Sequence, residues 1–455
     1  MNARSDPKEV RVSAEANKLL TSLATAMVQP PNEKPSYTGS FRVGAIPDRL
    51  RSEDGESLHL GGRDYWLYRK VLNQLASEKT LEHLTDRDID PELWDLVCEL
   101  FLNRQIYREQ AARRKRISQF LQTVERPWRD FEALFAVSDL TVDGEFVVGG
   151  VTLRTITTDY ARSWGLDGHE HLERTGRELD GSTVAIAQVR AGSHARASER
   201  AKERIDDALN LLRFTFCGAI YARIWDEQLL FRRKGVWAVK ALGEDSWPQT
   251  NYERGFIPFG SEIPTSLAGH LTEHLGPVES FLSGNTPEAL GQRVARAVHW
   301  IGTSTTRETY DDKVMDLCTA LETLLTTKDE GRKAEAIAVR SMLLPAALEQ
   351  SFPDPGIVFF LYDEKRSDIV HGSRHRICGE QDYIRLRSSA ISTVTQYVQL
   401  LGTIPGVTKH SQVVEAIDSP KLLKDVIDLL KDSRGAAAKK LRAFANARLA
   451  AKSNT

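Results

Sequence analysis

The residue types most capable of chemistry are concentrated in one short segment of the chain. Arg366, Ser367, Asp368 and His371 stand close together in a single run. If that run is helical, Arg366, Ser367 and His371 fall within an arc of roughly 140°, because successive residues are offset by about 100°. The arginine and the histidine can then flank one groove and border a phosphate group together.

Cleavage of RNA without a metal ion would suit these residue types. It needs a group that takes the proton from the 2′-hydroxyl, a group that protonates the departing 5′-oxygen, and a cation near the phosphorus. His371 can perform either proton transfer near neutral pH, and the planar donors of Arg366 match phosphate oxygens. One chain supplies a single such histidine. Two copies related by a two-fold axis would supply both groups, so the segment predicts a homodimer.

The bare Arg-x4-His spacing also has a structural interpretation. Such a spacing occurs by chance in many proteins. Arg366, Asp368 and His371 would then form a salt-bridged cluster that caps a helix and has no catalytic role.

Two other groups of histidines have the spacing of metal ligands: His270 with Glu273 and His274, and His169 with His171. The first group follows a glycine and is ended almost at once by Gly276-Pro277, which leaves too little helix for a zinc site. The second group lies in a glycine-flanked polar stretch typical of a surface loop. The chain also lacks the glycine-rich phosphate loops and the Gly-x-Ser-x-Gly elbow. We therefore predict neither a metal nor a cofactor.

The elements that must position the Arg366 segment are predicted to be helices. Two apolar stripes recur at helical spacing, and they consist of Val314, Leu317, Cys318, Leu321, Leu324 and Leu325, and of Leu386, Ala390, Val394, Tyr397 and Leu401. Stripes of this kind predict helices packed side by side in a small bundle. The last fifty residues, 406–455, are rich in Ala, Lys and Arg towards their end and predict a helical tail.

The preceding part of the chain has a mixed pattern. Residues 1–62 contain a stretch rich in Pro and Gly and predict an extended arm, and Asp90 followed by Pro91 predicts a helix start. Alternating residues around Asp143-Gly144 predict a hairpin, and 183–189 predicts a strand. Residues 63–265 are therefore expected to form an α+β accessory domain. A basic run from Arg108 to Arg116 could bind phosphates, although such a run is more often a solvated helix face.

Composition limits the remaining possibilities. The chain has 455 residues and a formal net charge of −2, so no global positive field attracts nucleic acid, and RNA contact would depend on local patches. The four cysteines are too widely spaced for a disulfide framework or a zinc ribbon. A signal-peptide pattern and an apolar run of roughly 18 residues are both missing from the sequence. These features predict a cytoplasmic protein without a membrane partner.

The catalytic segment and one upstream helix resemble a known family. The run from Tyr362 to Gly372 resembles the Arg-x4-6-His signature of HEPN domains, and most of all the Apea-like branch, in which a tyrosine-rich approach leads into Arg-Ser and ends with Val-His-Gly. The helix from Asp316 to Leu325 is similar to the Ala-Leu-Glu-x-Leu-Leu helix of that branch. The resemblance covers residues from about 285 to 405.

This resemblance implies an all-helical domain that dimerises and, in active members, cleaves RNA to leave a 2′,3′-cyclic phosphate. By analogy, Arg366 and His371 are the motif residues, and Glu322 orients Arg366. Many active members carry Asn, Asp or His directly after the arginine. This chain has Ser367 there and Asp368 one place later, so either of the two is a candidate for the polar helper.

The expected fold class is α+β and mainly α: a mixed amino-terminal domain followed by an all-α HEPN bundle. The resemblance also implies a role in bacterial antiviral defence or as a toxin-like endoribonuclease, with a regulatory partner or trigger at the amino-terminal domain. The alternative is a non-catalytic HEPN scaffold that binds RNA or a partner protein.

Overall fold

The computed structural model describes residues 12–28, 62–103, 105–138, 140–142, 144–165, 181–215, 223–224, 237–241, 249–251, 261–263, 276–282, 287–349, 351–372 and 378–453. Most of these residues are helical and the remainder include a sheet. The fold is therefore α+β and mainly α, as predicted. Among the helices in these ranges, none is long and apolar enough to cross a membrane.

Tertiary contacts divide the chain into two compact units. The first unit contains the described residues up to Ala133, together with those in Gln188–Ala201 and Ala238–Gln249. The second contains those in Leu134–Ala187, in Lys202–Trp237 and from Thr250 onwards.

The first unit is built on four helices: α1 (Ala14–Met27), α2 (Gly62–Ala76), α3 (Asp86–Leu102) and α4 (Gln110–Val124), with short 3₁₀ turns at Lys79–Leu81 and Ile106–Arg108. Their apolar faces form one buried core. Helix α1 corrects the prediction of an extended arm over residues 1–62. Its Ala16, Leu20, Leu23, Ala24 and Met27 recur at helical spacing and are buried. The proline-rich part of that arm lies outside the described residues.

Helix α3 begins one turn earlier than Asp90 and Pro91 predict. The Thr85 amide donates to the Asp88 carboxylate, and the two residues form a capping box at the start of α3. Pro91 therefore lies inside the helix.

The strands are β1 (Arg129–Ser138), β2 (Leu140–Val142), β3 (Glu145–Val148), β4 (Val151–Thr155), β5 (Thr183–Ala191), β6 (Arg223–Ile224), β7 (Trp237–Ala241), β8 (Gln249–Asn251) and β9 (Ser261–Ile263). Within the described residues, the larger sheet has the order β3-β4-β5-β1-β7-β8, with β6 paired to β1, and β2 pairs with β9 in parallel.

The predicted hairpin exists, but its turn differs from the predicted one. Strands β3 and β4 are antiparallel, with Val148 opposite Val151. The turn between them is Gly149-Gly150, with φ of 56° and 70°, the left-handed values that a tight two-residue hairpin turn requires. Asp143 lies outside the described residues. The chain continues with β4 antiparallel to β5, with Leu153 opposite Ala185.

The second unit is dominated by helices: α5 (Thr158–Ser163), most of α6 (His194–Thr215), α7 (Glu288–Thr306), α8 (Tyr310–Leu325), α9 (Lys333–Glu349), α10 (Gly356–Phe360), α11 (Arg366–Val370), α12 (Glu380–Thr403), α13 (His410–Ile417), α14 (Pro420–Leu429) and α15 (Ala436–Ser453). A π-helical turn, Leu361–Lys365, joins α10 to α11, and residues 276–282 are also helical. Helix α8 packs against α7 and α12, and α9 packs against α12. The two predicted apolar stripes therefore lie on α8 and α12, and all their members except Leu401 are buried.

The carboxy-terminal helices belong to this packing. Helices α13, α14 and α15 all contact α9, and α15 buries Leu441, Phe444 and Ala445. Helices α13, α14 and α15 account for most of residues 410–453, and they are packed on the bundle rather than frayed from it.

Candidate functional site

The predicted site residue Glu322 lies at the centre of a group of polar side chains. It stands in the last turns of α8, whose first turn is capped by the Thr309 side chain. The Tyr362 hydroxyl donates to Glu322 Oε2 at 2.7 Å, and Arg366 Nη2 donates to the same oxygen at 3.2 Å. Lys333 Nζ, from the start of α9, pairs with Oε1. The carboxylate therefore holds three side chains from two other parts of the bundle.

The π-helical turn sets the position of Arg366. The Arg366 amide donates to the Leu361 carbonyl, and the wider turn leaves Tyr362 and Arg366 on the side of Glu322. The Arg366 guanidinium lies 4.7 Å from the centroid of the Tyr362 ring, a favourable cation–π distance. Turns of this type are rare and are often found at functional sites.

Electrostatics keep this group charged. Burial alone would raise the pKa of Glu322, but the hydrogen bonds from Lys333 and Tyr362 and the positive charges of Lys333 and Arg366 outweigh it, so the pKa is lowered. Burial and the hydrogen bond to Glu322 raise the pKa of the Tyr362 hydroxyl. Glu322 is thus ionised at neutral pH and Tyr362 remains a protonated donor.

The hydrogen bond to Glu322 engages only part of the Arg366 guanidinium. Its side chain is 31% exposed, and within the described part of the chain Glu322 accepts one hydrogen bond from it. A guanidinium has five N–H donors. Donors therefore remain for an anion that reaches the exposed part of the side chain.

His371 ends the short helix that Arg366 begins. Its amide donates to the Ser367 carbonyl at 3.0 Å, and Gly372, with φ of 64°, follows it in the left-handed conformation. His371, Ser367 and Asp368 are exposed. The structure thus brings Glu322 and Arg366 into contact, and it places the other three predicted residues at the surface of the same short helix.

The sequence did not identify Lys333 as part of the site. In the sequence, Tyr362 stands out only as part of the run that resembles the HEPN signature. Lys333 reaches Glu322 because α9 folds back against α8, and no local spacing records that contact.

The competing sequence candidates have different outcomes. His169, His171, His270, Glu273 and His274 lie outside the described residues. Among the residues that are described, no group of three or more His, Cys, Asp or Glu could hold a metal ion. In the basic run, Arg113 donates to the carbonyls of Tyr107 and Arg108, and Arg116 pairs with Glu99 at 2.7 Å. Arg114 and Lys115 are exposed, so the run is partly structural and partly solvated.

Comparisons with known proteins give no relatives. No protein-family description, no curated protein and no solved structure matches the chain.

Proposed function

We propose that the chain is a metal-independent endoribonuclease of the HEPN type. The observation that supports this most is the contact of Arg366 with Glu322 and Tyr362, with the exposed His371 at the end of the short helix that Arg366 begins. An ionised carboxylate and an aromatic ring fix the orientation of a cation whose donors suit phosphate, and an imidazole that can accept or donate a proton lies about one helical turn further on. Charged groups that are held in position before the reaction stabilise the charge that develops on a phosphate in the transition state.

The proposed reaction is an internal transesterification. One histidine takes the proton of the 2′-hydroxyl, the 2′-oxygen forms a bond to phosphorus, and the bond from phosphorus to the 5′-oxygen breaks. A second histidine gives its proton to the departing 5′-oxygen. The products are a 2′,3′-cyclic phosphate and a 5′-hydroxyl, with Arg366 stabilising the added charge on the phosphate oxygens.

The second histidine would come from a second copy of the chain. His371 and Val370 lie at the exposed end of α11, and 57% of Val370 is exposed. A two-fold axis near this end would bring two His371 and two Arg366 side chains to one cleft. Ser367 and Asp368, exposed on the same helix, are the candidates for a polar group that assists the histidine.

The biological setting is part of the same proposal. The resemblance to Apea-like HEPN domains supports a defence or toxin-like role in the cytoplasm, with a trigger or regulatory partner at the amino-terminal part of the chain. Expression in a bacterial host tests that role. Wild-type protein should arrest growth and His371→Ala should not. Equal growth of the two cultures would contradict a toxin-like role.

A non-catalytic scaffold is the second candidate, and one observation favours it. Ser367 replaces the Asn, Asp or His of many active HEPN nucleases, and the contact between Arg366 and Glu322 would look the same in a purely structural ion pair. A scaffold would bind RNA or a partner protein, and its binding would not weaken when His371 is removed.

Incubation of the full-length protein with total RNA in EDTA separates the candidates. The nuclease should produce fragments that end in a 2′,3′-cyclic phosphate, and Arg366→Ala should abolish them. Arg296→Ala, an exposed arginine of α7, is the matched control and should cleave like wild type. Intact RNA would favour the scaffold, and equal cleavage by wild type and Arg366→Ala would contradict the assignment of the activity to this site.

A further inference from the structure

The first unit contains an open cavity of its own, with a volume of about 460 Å³. Three elements form its walls: the first turn of α3, the link from α4 into β1, and the start of α6. The polar lining includes Asp88, Arg126, Arg129, Ser193 and His194. A volume of this size is typical of sites for small molecules. The residues of the Arg366 site take no part in it.

Asp88, the one carboxylate among the lining residues, already has several hydrogen-bond partners within the protein. Asp88 Oδ2 accepts hydrogen bonds from the Thr85 amide at 2.8 Å, the Thr85 hydroxyl at 2.8 Å and the Ser193 hydroxyl at 2.6 Å. Its Oδ1 lies 3.8 Å from Arg126 Nη1. Arg126 also pairs with Glu92 at 3.3 Å, so it is held in place by two carboxylates. The lining thus contains two guanidinium groups, those of Arg126 and Arg129, and the single carboxylate of Asp88, a balance that favours an anion.

The start of α6 adds backbone donors to the same wall. This helix runs from His194 for 22 residues, and the amides of its first two residues have no acceptor within the helix. Gly192 lies two residues before the start of this helix. Its amide donates to the His83 carbonyl at 2.7 Å, and a Cβ at this position would lie 2.4 Å from His83 Cδ2. Only glycine allows the backbone to approach so closely.

The link that carries both arginines is anchored by Trp128. The Arg200 guanidinium lies 4.7 Å from the Trp128 ring centroid, and the His83 ring centroid is 5.1 Å away. Arg200 also donates to the carbonyl of Arg190, which ties it to β5. These contacts fix the chain between Arg126 and Arg129, so the two arginines are positioned before any ligand binds.

We propose that this cavity binds a small phosphorylated molecule of about mononucleotide size. Guanidinium groups match the oxygens of a phosphate monoester, and the amides at a helix start favour the same charge. The volume admits a group of that size. This binding is a property separate from RNA cleavage, and it stands or fails without it.

Calorimetric titration of the full-length protein with inorganic phosphate, AMP and adenosine tests the proposal. AMP should bind and adenosine should not, and binding of phosphate alone would show that the monoester group is sufficient. Failure of both phosphate and AMP to bind at about 10 mM, or equal binding of adenosine and AMP, would overturn the proposal.

Two substitutions locate the site. Ala195→Glu places a carboxylate in the cavity wall while favouring the start of α6, and it should weaken AMP binding at least about tenfold. Arg129→Gln should have a similar effect. Ser198→Glu, one turn further along α6 and outside the lining, is the matched control and should bind AMP normally. If Ala195→Glu does not fold, AMP binding by Arg129→Gln decides whether the ligand occupies this cavity. Normal AMP binding by the folded variants would place the ligand elsewhere and contradict the assignment.

Discussion

At the scale of single residues, the candidate site depends on one carboxylate that holds one cation. Glu322 accepts from both Tyr362 and Arg366 at one oxygen and from Lys333 at the other. The lowered pKa of Glu322 shows that these contacts favour its charged form. The role of the carboxylate is therefore to orient Arg366, and the role of Tyr362 is to support both.

Glu322→Gln should reduce RNA cleavage less than Arg366→Ala does. The amide keeps a polar partner for Arg366 but removes the charge that fixes it, whereas alanine removes the cation that is proposed to contact phosphate. Loss of such a cation typically costs roughly 10²- to 10³-fold in rate. Single-turnover cleavage of one RNA by the two variants gives the comparison. An equal or larger loss in Glu322→Gln would mean that the carboxylate itself takes part in the chemistry.

A buried histidine makes the stability of the bundle depend on pH. His410 Nε2 lies 2.8 Å from the Thr326 carbonyl, and its Nδ1 lies 2.9 Å from the Tyr397 hydroxyl. Burial and the positive charge of Arg293 lower the pKa of His410 to about 4, below its value in the unfolded chain, about 6.5. The unfolded state therefore binds the proton more readily between these two values.

From this we predict that acidification destabilises the folded protein through His410. The contribution is fully present above pH about 6.5 and is lost as the pH falls towards about 4, by up to roughly 3 kcal/mol. His410→Gln should flatten this part of the pH profile. Urea unfolding at several pH values measures it. Parallel profiles for the two proteins would contradict a neutral, buried His410.

At the scale of elements, a buried ion network joins α9 to the carboxy-terminal helices. Arg340 is fully buried and donates to both oxygens of Asp418, at 3.0 and 2.8 Å. It also donates to the Leu325 carbonyl at 2.6 Å and to Glu330 at 2.7 Å. Arg448, from α15, reaches Asp418 from the exposed side at 2.7 Å. Asp418, just after α13, is thus needed to compensate a charge in the middle of the bundle.

Asp418→Ala should lower the free energy of unfolding by roughly 3–5 kcal/mol, because it leaves Arg340 buried without its main counter-charge. Arg448→Ala is the control and should cost clearly less, since Arg340 and Asp418 remain paired. Chemical denaturation followed by the helical circular dichroism signal measures both. Similar losses in the two variants would show that the buried pair is not the main contribution.

The sequence predicted the helices of this bundle but not the contacts between them. The apolar stripes of α8 and α12 were readable because helical spacing is a local property, and Glu322 was reached through the resemblance. The sequence did not predict the contact of Lys333 or the pair of Arg340 with Asp418, because contacts between residues far apart in sequence leave no periodic signal.

The start of α3 differs from the prediction for another reason. Asp90 and Pro91 are a good local start signal, but the capping box of Thr85 and Asp88 lies one turn earlier.

These contacts also indicate how long a stable fragment of the bundle must be. Residues 285–405 contain both apolar stripes but omit Asp418. They also omit Asn210 of α6, whose amide lies 3.1 Å from the His299 ring, and Arg213, whose carbonyl accepts from Arg387. A stable fragment should therefore include α6 and extend to the end of α15.

At the scale of the whole molecule, the proposed chemistry requires two copies of the chain. Val370 is 57% exposed next to His371. An aliphatic side chain at this position is suited to an interface that brings two α11 helices together.

If the chain forms the proposed dimer, Val370→Asp should convert it to a monomer and abolish RNA cleavage, because a carboxylate buried at a two-fold interface is repelled by its copy. Leu429→Asp is the matched control, since Leu429 is a similarly exposed aliphatic residue of α14. It should leave both properties unchanged. Light scattering at micromolar concentration reports the mass. A wild-type protein that is a monomer and still cleaves RNA would remove the argument for a composite site.

The most direct test of the account is the rate of RNA cleavage by His371→Ala in EDTA, compared with wild type on one substrate. His371 is exposed at the end of α11, so its removal should leave folding and dimerisation intact. We predict a loss of roughly 10²- to 10⁴-fold, the usual cost of removing a positioned acid or base. A folded, dimeric His371→Ala protein that cleaves RNA at the wild-type rate would contradict the assignment of ribonuclease activity to this site.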